Sequence, residues 1–224
     1  MPGRIAIFDD ISFKSDISSL IKNDLIKNLK KNYNTAPTHA IPALLNNGNY
    51  LYAHFGYIAS YAKNKKTIHV NARNESIFEK NTFRDSFKTK RCIVPINGYY
   101  EWLDKVPFFI HSKNNDYFAL AAIWNEYYDE KSNQNIVNIA LITCEPNDKI
   151  KNIHHRMPVI LDKKDYNTWL NSSDINVLNN LFKIYSSHKM TYYTVSTNVN
   201  KVKFNNFFCI KKQEKLLFGQ QSLF

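Results

Sequence analysis

The stretch Arg91-Cys92-Ile93-Val94-Pro95-Ile96-Asn97-Gly98-Tyr99-Tyr100-Glu101-Trp102 decides how the fold is interpreted. Its first half is a continuous apolar run, which is typical of a strand buried on both faces. Asn97-Gly98 is a turn sequence, because both residues tolerate backbone angles that most side chains avoid. The stretch therefore predicts a buried strand over 91–96 that turns directly into a second strand at 99–102.

Other short apolar runs predict more strands, and helical spacing predicts a few helices. The predicted strands are 4–8, 41–45, 50–55, 68–73, 107–111, 117–124, 137–144 and 192–196, with a hairpin turn at Asn47-Gly48. The predicted helices run from Ser15 to about Asn32, within 78–87, after Pro146, and around 163–170 and 175–184, while 33–38 is predicted to be a loop. Because the strands and helices do not alternate regularly, we expect an α+β fold with a curled or barrel-like mixed sheet and flanking helices.

The composition limits the class of protein. A chain of 224 residues fits one domain, which we assign to 1–200, followed by a basic C-terminal extension at 201–224. The net charge of +11 favours a polyanionic partner, with nucleic acid first and an acidic membrane surface second.

No apolar run is long enough to span a membrane, and no signal peptide precedes the first strand. We therefore expect an intracellular location, in the cytoplasm, nucleoid or nucleus. We also expect a monomer. The three cysteines, Cys92, Cys144 and Cys209, each lie in an apolar run and predict reduced core thiols.

The first residues carry unusual chemistry. Removal of Met1 would leave Pro2 at the N-terminus, with a secondary amine that is partly unprotonated at neutral pH. Such an amine attacks an aldehyde to give an iminium ion. Gly3 leaves room for a bulky substrate, and the charge of Arg4 suits a phosphate. The alternative is that these residues are only a flexible start before strand 4–8.

Two further side chains are candidates for proton transfer. Glu101 lies among aromatic residues, where loss of hydration raises the pKa of a carboxylate and favours a general acid or base. His154 precedes Arg156, whose charge lowers the proton affinity of the imidazole. The alternatives are an exposed Glu on an alternating strand and a surface pair of histidines. A metal site is a weaker alternative, because a third ligand at useful spacing is missing.

Four motifs occur in a fixed order along the chain. They are Asn34-x-Ala36-Pro37-Thr38, Asn71-Ala72-Arg73-x-Glu75, Arg91-Cys92-(x)2-Pro95-(x)2-Gly98-Tyr99-Tyr100-Glu101-Trp102, and Ile153-His154-x-Arg156-Met157-Pro158. This series resembles the SOS-response-associated peptidase (SRAP) family, whose members shield abasic sites in single-stranded DNA. The resemblance extends to about Asn200.

The resemblance implies a mechanism and a set of site residues. Family members expose a residue-2 cysteine, whose amine and thiol capture the ring-opened aldehyde of an abasic site as a thiazolidine. The resemblance also implies that the partner is single-stranded DNA and that neither a cofactor nor a metal is used. By matching motifs, Asn71, Glu101 and His154 would surround the captured sugar, with Pro2 as the reacting residue, and Arg4, Arg73 and Arg156 would hold the flanking phosphates. The other candidates for DNA contact are Asn34, Tyr57 and Tyr61, the tyrosines lying with Ser60 in a loop where family members tend to carry tryptophan.

The sequence departs from the family at residue 2. Pro2 has no thiol, so a thiazolidine cannot form, and we expect a lyase that passes through an iminium adduct rather than a permanent cross-linker. The first alternative is a non-catalytic single-stranded DNA-binding relative, and the second is a peptidase limited to its own N-terminus.

The chain ends Gln220-Gln221-Ser222-Leu223-Phe224, which resembles short peptides that dock on replication sliding clamps. The alternative, which we favour slightly, is that these residues fold back on the core or match by chance.

Overall fold

The computed structural model describes residues 2–59, 61–62, 67–114, 116–130 and 132–213, so Met1, Ser60 and the Gln220–Phe224 motif lie outside the described residues. The strands are β1 Ile5–Ile7, β2 Asn23–Asp24, β3 Asn32–Thr35, β4 Ala40–Leu45, β5 Asn49–Phe55, β6 Asn71–Arg73, β7 Arg91–Ile96, β8 Gly98–Leu103, β9 Val106–Ser112, β10 Phe118–Asp129, β11 Gln134–Cys144, β12 Met157–Pro158, β13 Ile160–Leu161 and β14 Met190–Thr194. The α-helices are α1 Ile11–Asp16, α2 Arg84–Thr89, α3 Tyr166–Asn171 and α4 Ile175–Asn179.

Five strands close into a small barrel in the order β5-β4-β7-β10-β11. Neighbours in this ring are antiparallel except at the closure, where β11 pairs parallel with β5 through Asn138 opposite His54 and Ile139 opposite Phe55. The predicted α+β class with a barrel-like mixed sheet is confirmed.

A second sheet has the order β14-β9-β8-β1-β3 and is antiparallel throughout. The turn predicted at Asn97-Gly98 is present, but it joins strands of different sheets, β7 of the barrel and β8 of the second sheet. Asn97 fixes this crossing, because its Oδ1 accepts hydrogen bonds from the amides of Phe8 at 2.7 Å and Asp9 at 3.0 Å. Gly98 is needed for packing, since a Cβ there would lie 2.4 Å from the ring of Phe109.

The long helix predicted from Ser15 to about Asn32 is wrong. The helix begins at Ile11 and ends at Asp16, and β2 then pairs parallel with the start of β5. The amides of Lys22 and Asn23 donate to the carbonyl of Gly48, so tertiary pairing replaces the helical bonds. Polar side chains that bond locally favour this alternative, as Asp24 does by accepting from the amide of Ile26.

Two smaller predictions are also wrong. Residues 32–35 form β3 rather than a loop, because the polar run pairs with β1 at the edge of the second sheet. The segment after Pro146 is a series of turns rather than an α-helix, held by Asn147, whose Oδ1 accepts from the amides of Lys149 and Ile150.

The segment after β14 covers one face of the second sheet. Val195, Val199 and Cys209 are buried against Tyr100 and Phe109 of that sheet. Residues 201–213 therefore pack onto the domain, although the sequence suggested that an extension begins at 201. Cys92, Cys144 and Cys209 are all buried free thiols, as predicted. Within the described ranges, no helix is long and apolar enough to cross a membrane.

Arg91 joins two helices to the barrel. Its guanidinium is buried and donates to the carbonyls of Phe87 and Lys88, near the end of α2, at 2.8 and 2.6 Å. It also donates to three carbonyls around the end of α3, those of Trp169, Leu170 and Ser172. The carbonyls at helix C-termini lack intrahelical donors and carry partial negative charge. A buried guanidinium there supplies the missing hydrogen bonds and balances that charge.

We expect Arg91→Met to destabilise the fold by about 3 kcal/mol or more, because several buried carbonyls lose their donor. For a domain of this size the melting temperature should fall by roughly 6–12 °C. Calorimetry checks this beside Arg84→Met, which removes an exposed guanidinium at the start of α2 and should change stability by less than about 0.5 kcal/mol. Equal melting temperatures for the two variants would contradict the assignment.

Candidate functional site

The N-terminal segment is laid along β8. Ile5 lies opposite Tyr99 and Ala6 opposite Gly98, and the amide of Tyr100 donates to the carbonyl of Arg4 at 2.9 Å. Continuing this antiparallel register brings Gly3 opposite Glu101. Residue 2, which is buried, therefore lies at the end of the second sheet that carries the Glu101 carboxyl.

The other half of the site is built at the carboxyl end of β11. There β6 pairs parallel with β11, with Asn71 opposite Leu141, and β12 pairs antiparallel with it, with Met157 opposite Cys144. These pairings bring Asn71 and the segment before Met157, which contains His154, to one end of the barrel.

Two contacts join the two halves. The Nδ2 of Asn71 donates to the carbonyl oxygen of Pro2 at 3.4 Å, and the Nε2 of His154 lies 3.9 Å from the Oε2 of Glu101. The fold thus brings together four residues that the sequence predicted as catalytic. Among the described residues, the buried Oδ1 of Asn71 has no hydrogen-bond partner, which leaves one unsatisfied acceptor beside residue 2.

The two titratable groups of the site are shifted in opposite directions, and both shifts favour the neutral form. Burial raises the pKa of Glu101 and lowers the pKa of His154. The Nδ1 of His154 lies 3.0 Å from the amide nitrogen and 3.2 Å from the carbonyl oxygen of Arg156, which hold the ring so that Nε2 faces Glu101. A separation of 3.9 Å is too long for a direct hydrogen bond between the two groups.

Arg156 lies beside this site, but its guanidinium already has internal partners. It forms a two-point ion pair with Glu75, at 2.6 and 2.9 Å, and donates to the carbonyl of Thr143 at 2.7 Å. Its side chain is 9% exposed, and a paired guanidinium has less charge to offer a phosphate. The geometry gives it the task of tying β11 to the 3₁₀ turn at 74–76, and phosphate binding by Arg156 stays a prediction.

Glu75 is the residue of this region that sequence analysis left without a role. The pair with Arg156 spans 81 positions, so no local signal connects the two residues.

Arg4 and Asn34 form a second internal group. Asn34 is fully buried, and its Nδ2 donates to three carbonyls of the covering segment, those of Val199, Lys201 and Phe204. Its Oδ1 accepts from Arg4 at 2.7 Å. The prediction of DNA contact by Asn34 is corrected accordingly, because every polar atom of its side chain is used inside the fold. Arg4 is half-buried, and burial lowers its pKa.

The remaining candidates for DNA contact differ in exposure. Tyr57 is 2% exposed and its hydroxyl bonds to Ser86, so it is a core residue and not the predicted stacking surface. Tyr61 is 63% exposed, with its hydroxyl 2.9 Å from that of Thr82. Arg73 is exposed at the end of β6, two residues from Asn71. Tyr61 and Arg73 remain accessible to a ligand, whereas Tyr57 does not.

Metal chemistry has no candidate ligand set in the part of the chain that the structure describes, since no three His, Cys, Asp or Glu residues converge there.

Comparison with known proteins agrees with the sequence motifs. The chain matches the SOS response associated peptidase (SRAP) family over residues 1–202. The abasic site processing protein YoqW of Bacillus subtilis is 34% identical over 221 residues, covering 92% of this chain and 97% of the relative. The abasic site processing protein YoaM of the same organism is 36% identical over 221 residues, covering 92% and 96%. The abasic site processing protein HMCES of Gallus gallus is 26% identical over 157 residues, covering 59% of this chain and 47% of the relative.

A crystal structure of a protein from Bacteroides thetaiotaomicron superposes with a TM-score of 0.82 at 24% identity, covering 94% of this chain and all of the other. This likeness concerns the fold. From the family match and the relatives together, the chain belongs to the SRAP family.

Glu101 and Glu75 should affect stability with opposite dependence on pH. Burial raises the pKa of Glu101, so its ionised form costs stability, and the cost grows as pH rises from the unfolded value near 4.5 through the folded pKa. Glu101→Gln should therefore gain melting temperature relative to wild type between pH 4 and pH 7. For Glu75, partial burial acts to raise the pKa, but the hydrogen bonds from Arg156 outweigh it, so the pKa lies below its ordinary value.

The stability that Glu75 contributes is present above its unfolded pKa and is lost as pH falls through the folded one. Glu75→Gln should accordingly be less stable than wild type at pH 7, and the difference should shrink towards acid pH. Melting curves of the three proteins at several pH values check both signs. If both variants differ from wild type by the same amount at every pH, the assigned electrostatics are wrong.

Proposed function

We propose that this protein processes abasic sites in DNA, with the amine of Pro2 as the nucleophile after removal of Met1. The observation that carries the proposal is the position of residue 2. Its carbonyl oxygen accepts a hydrogen bond from Asn71, and the segment that follows it pairs with the strand that carries Glu101. The carboxyl of Glu101 faces His154. Relatives named as abasic site processing proteins support the same substrate.

The chemistry proceeds through an iminium ion. The ring-opened abasic sugar presents an aldehyde at C1′, the Pro2 nitrogen adds to it, and loss of water gives the iminium. The positive nitrogen acidifies the C2′ proton, which passes to His154 or to the Glu101 carboxylate. The electron pair of the C2′–H bond forms a new C2′–C3′ double bond while the 3′ phosphate leaves with the C3′–O electrons. Water then hydrolyses the iminium and returns the free amine.

The neighbouring side chains fit the proton transfers of this sequence. We assign ring opening to Glu101, because burial raises its pKa and thereby favours the protonated form that can act as an acid. We assign stabilisation of the opened sugar to His154, whose Nε2 faces the Glu101 carboxyl. The unsatisfied Oδ1 of Asn71 would accept a hydrogen bond from a sugar hydroxyl.

Single-stranded DNA is the substrate form that we propose, since an abasic sugar is most easily opened and reached where it is not stacked in a duplex. Arg73 is exposed two residues from Asn71 and suits a phosphate, and the exposed ring of Tyr61 suits a base. The net charge of +11 favours the same partner.

Trapping with borohydride tests the nucleophile. Wild-type protein incubated with abasic single-stranded DNA should cleave the strand 3′ to the site, and borohydride should convert the transient adduct into a covalent one. Pro2→Cys should give a heat-stable cross-link without reductant, because a thiol beside the amine closes a thiazolidine. Pro2→Glu is the matched control, since a large residue 2 retains Met1 and leaves no free amine at the position of the Pro2 nitrogen, so the yield of the adduct should fall.

A heat-stable cross-link from wild type without reductant would contradict the lyase mechanism. Absence of an adduct even with borohydride would end the proposal of covalent chemistry and favour a non-catalytic DNA-binding protein. Proline in place of the family's cysteine is the observation behind that second candidate. Intact-mass spectrometry of protein from its native host separates the two at once, because a retained Met1 blocks the proline nitrogen.

General proteolysis has little support. Burial raises the pKa of the thiols of Cys92, Cys144 and Cys209, which disfavours a thiolate nucleophile at each. Peptidase activity limited to the protein's own N-terminus stays a prediction, as do the monomeric state, the intracellular location and clamp docking through Gln220–Phe224.

Binding to single-stranded DNA should depend steeply on salt, and Arg73 should account for one phosphate contact. Arg73→Ala should weaken binding of all sequences alike and reduce the slope of log K against log salt by about 0.7. Fluorescence anisotropy over a salt series measures the slope, with Lys183→Ala as the control for loss of an exposed cation outside the residues proposed to contact DNA. An unchanged slope for Arg73→Ala would remove this residue from the interface.

A further inference from the structure

Two adjacent phenylalanines are exposed on the covering segment of the second sheet. Phe207 and Phe208 are 59% and 58% exposed, whereas the next residue, Cys209, is fully buried. The three residues form a 3₁₀ turn, and Cys209 is the member that packs inward. Exposure of two neighbouring aromatic rings is costly in water, so a surface of this kind is a candidate contact site.

The turn that carries the rings is held rigidly. The Oδ1 of Asn206 accepts from the amide of Phe208 at 2.9 Å, and the hydroxyl of Tyr193 donates to the carbonyl of Ile210 at 2.7 Å. Tyr33 meets the ring of Phe207 edge to face, with centroids 6.4 Å apart. The rings are therefore positioned before any ligand arrives, which lowers the entropy cost of binding.

The surroundings of the two rings are basic. Residues 196–213 contain four lysines, Lys201, Lys203, Lys211 and Lys212, and no acidic residue. All four lysines are exposed, and the ammonium of Lys211 lies 5.6 Å from the centroid of the Phe208 ring. Beside Phe208, a groove of about 340 Å³ is lined also by Phe204, Lys211 and Lys212. Exposed aromatics among lysines are the combination that single-stranded nucleic acid binding requires.

The segment that carries this aromatic surface is tied to the strands that carry the candidate site. The Nε1 of Trp102, next to Glu101 in the chain, donates to the Oδ1 of Asn200 at 2.8 Å. The Nη1 of Arg4, two residues after Pro2, donates to the carbonyl of Val199 at 2.8 Å. Because successive side chains of a strand point to opposite faces, the segment lies on the Trp102 face of the second sheet, opposite to the face of Glu101.

We propose that Phe207 and Phe208 form a stacking platform for the bases of single-stranded DNA that flanks the abasic sugar on the Trp102 side. The inference rests on the proposed function for its ligand. The lysines neutralise the phosphates of the same nucleotides, and stacking is tolerant of sequence because every base has a π-face. This surface lies beyond residue 202, where the match to the family model ends.

The test compares Phe207→Ser/Phe208→Ser with Tyr128→Ser in the full-length protein. Tyr128 is an aromatic residue of similar exposure, 49%, on the β10–β11 hairpin. Anisotropy with a fluorescent single-stranded oligonucleotide that contains a tetrahydrofuran abasic analogue measures affinity. We expect the double variant to bind about 10- to 100-fold more weakly, as loss of one or two stacked bases implies, and Tyr128→Ser to bind like wild type.

A second readout separates stacking from charge. The fluorescence of 2-aminopurine, placed one to four nucleotides on either side of the analogue, should be quenched by wild type on one side only, and the double variant should lose this quenching. Lys203→Ala/Lys212→Ala should instead keep the quenching and lower the salt slope by about 1.4.

Three outcomes distinguish this inference from the proposed function. If wild type neither binds the oligonucleotide nor reacts with abasic DNA, the proposed function fails. If wild type does both and the phenylalanine variant binds and quenches equally well, the platform is overturned and the proposed function stands. If that variant loses melting temperature at unchanged DNA affinity, the rings are covered by the chain itself or by a second copy, and the platform is likewise overturned.

Discussion

The site depends on the crossing of the chain at Asn97-Gly98. Glu101 and residue 2 belong to the second sheet, whereas Asn71 and His154 lie at the end of a barrel strand. The four residues therefore meet only while the two sheets keep the same relative position. Asn97 fixes that relative position, because its Oδ1 accepts hydrogen bonds from two backbone amides just after β1. Gly98 allows Phe109 and the backbone of Ile110 to approach so closely that a Cβ would overlap both.

Much of the charge near the site is used to build it. Arg156 is paired with Glu75, and Arg4 is bonded to Asn34 and the Val199 carbonyl. A guanidinium engaged in this way orders the segments around the site, and a buried one that lost its partner would be costly. The attraction for a polyanion that the net charge favours must therefore come mainly from exposed cations, among them Arg73 and the lysines of the C-terminal segment.

The structure separates residues that the motifs presented together. Asn34 and Asn71 both open motifs that resemble the family, yet Asn34 is a buried clamp for 199–204 and Asn71 touches residue 2. Tyr57 and Tyr61 lie in the same short loop, but one ring fills the core and the other faces solvent. Residue type and spacing do not decide such cases, because burial is set by strands that arrive from elsewhere in the chain.

The sequence by itself determined the buried strand at 91–96, the α+β class, the hairpin at Asn47-Gly48, and the identities of Pro2, Asn71, Glu101 and His154 as candidate site residues. These follow from hydrophobic periodicity, turn chemistry and short motifs, all of which are local. The helix over 15–32 was wrong, since its backbone groups found partners near Gly48 that periodicity cannot reveal. Tertiary structure alone decided that β7 and β8 belong to different sheets, that Arg156 pairs with Glu75, and that Phe207 and Phe208 face solvent. Each of these depends on contacts between residues far apart in the chain, which exist only after the sheets have packed.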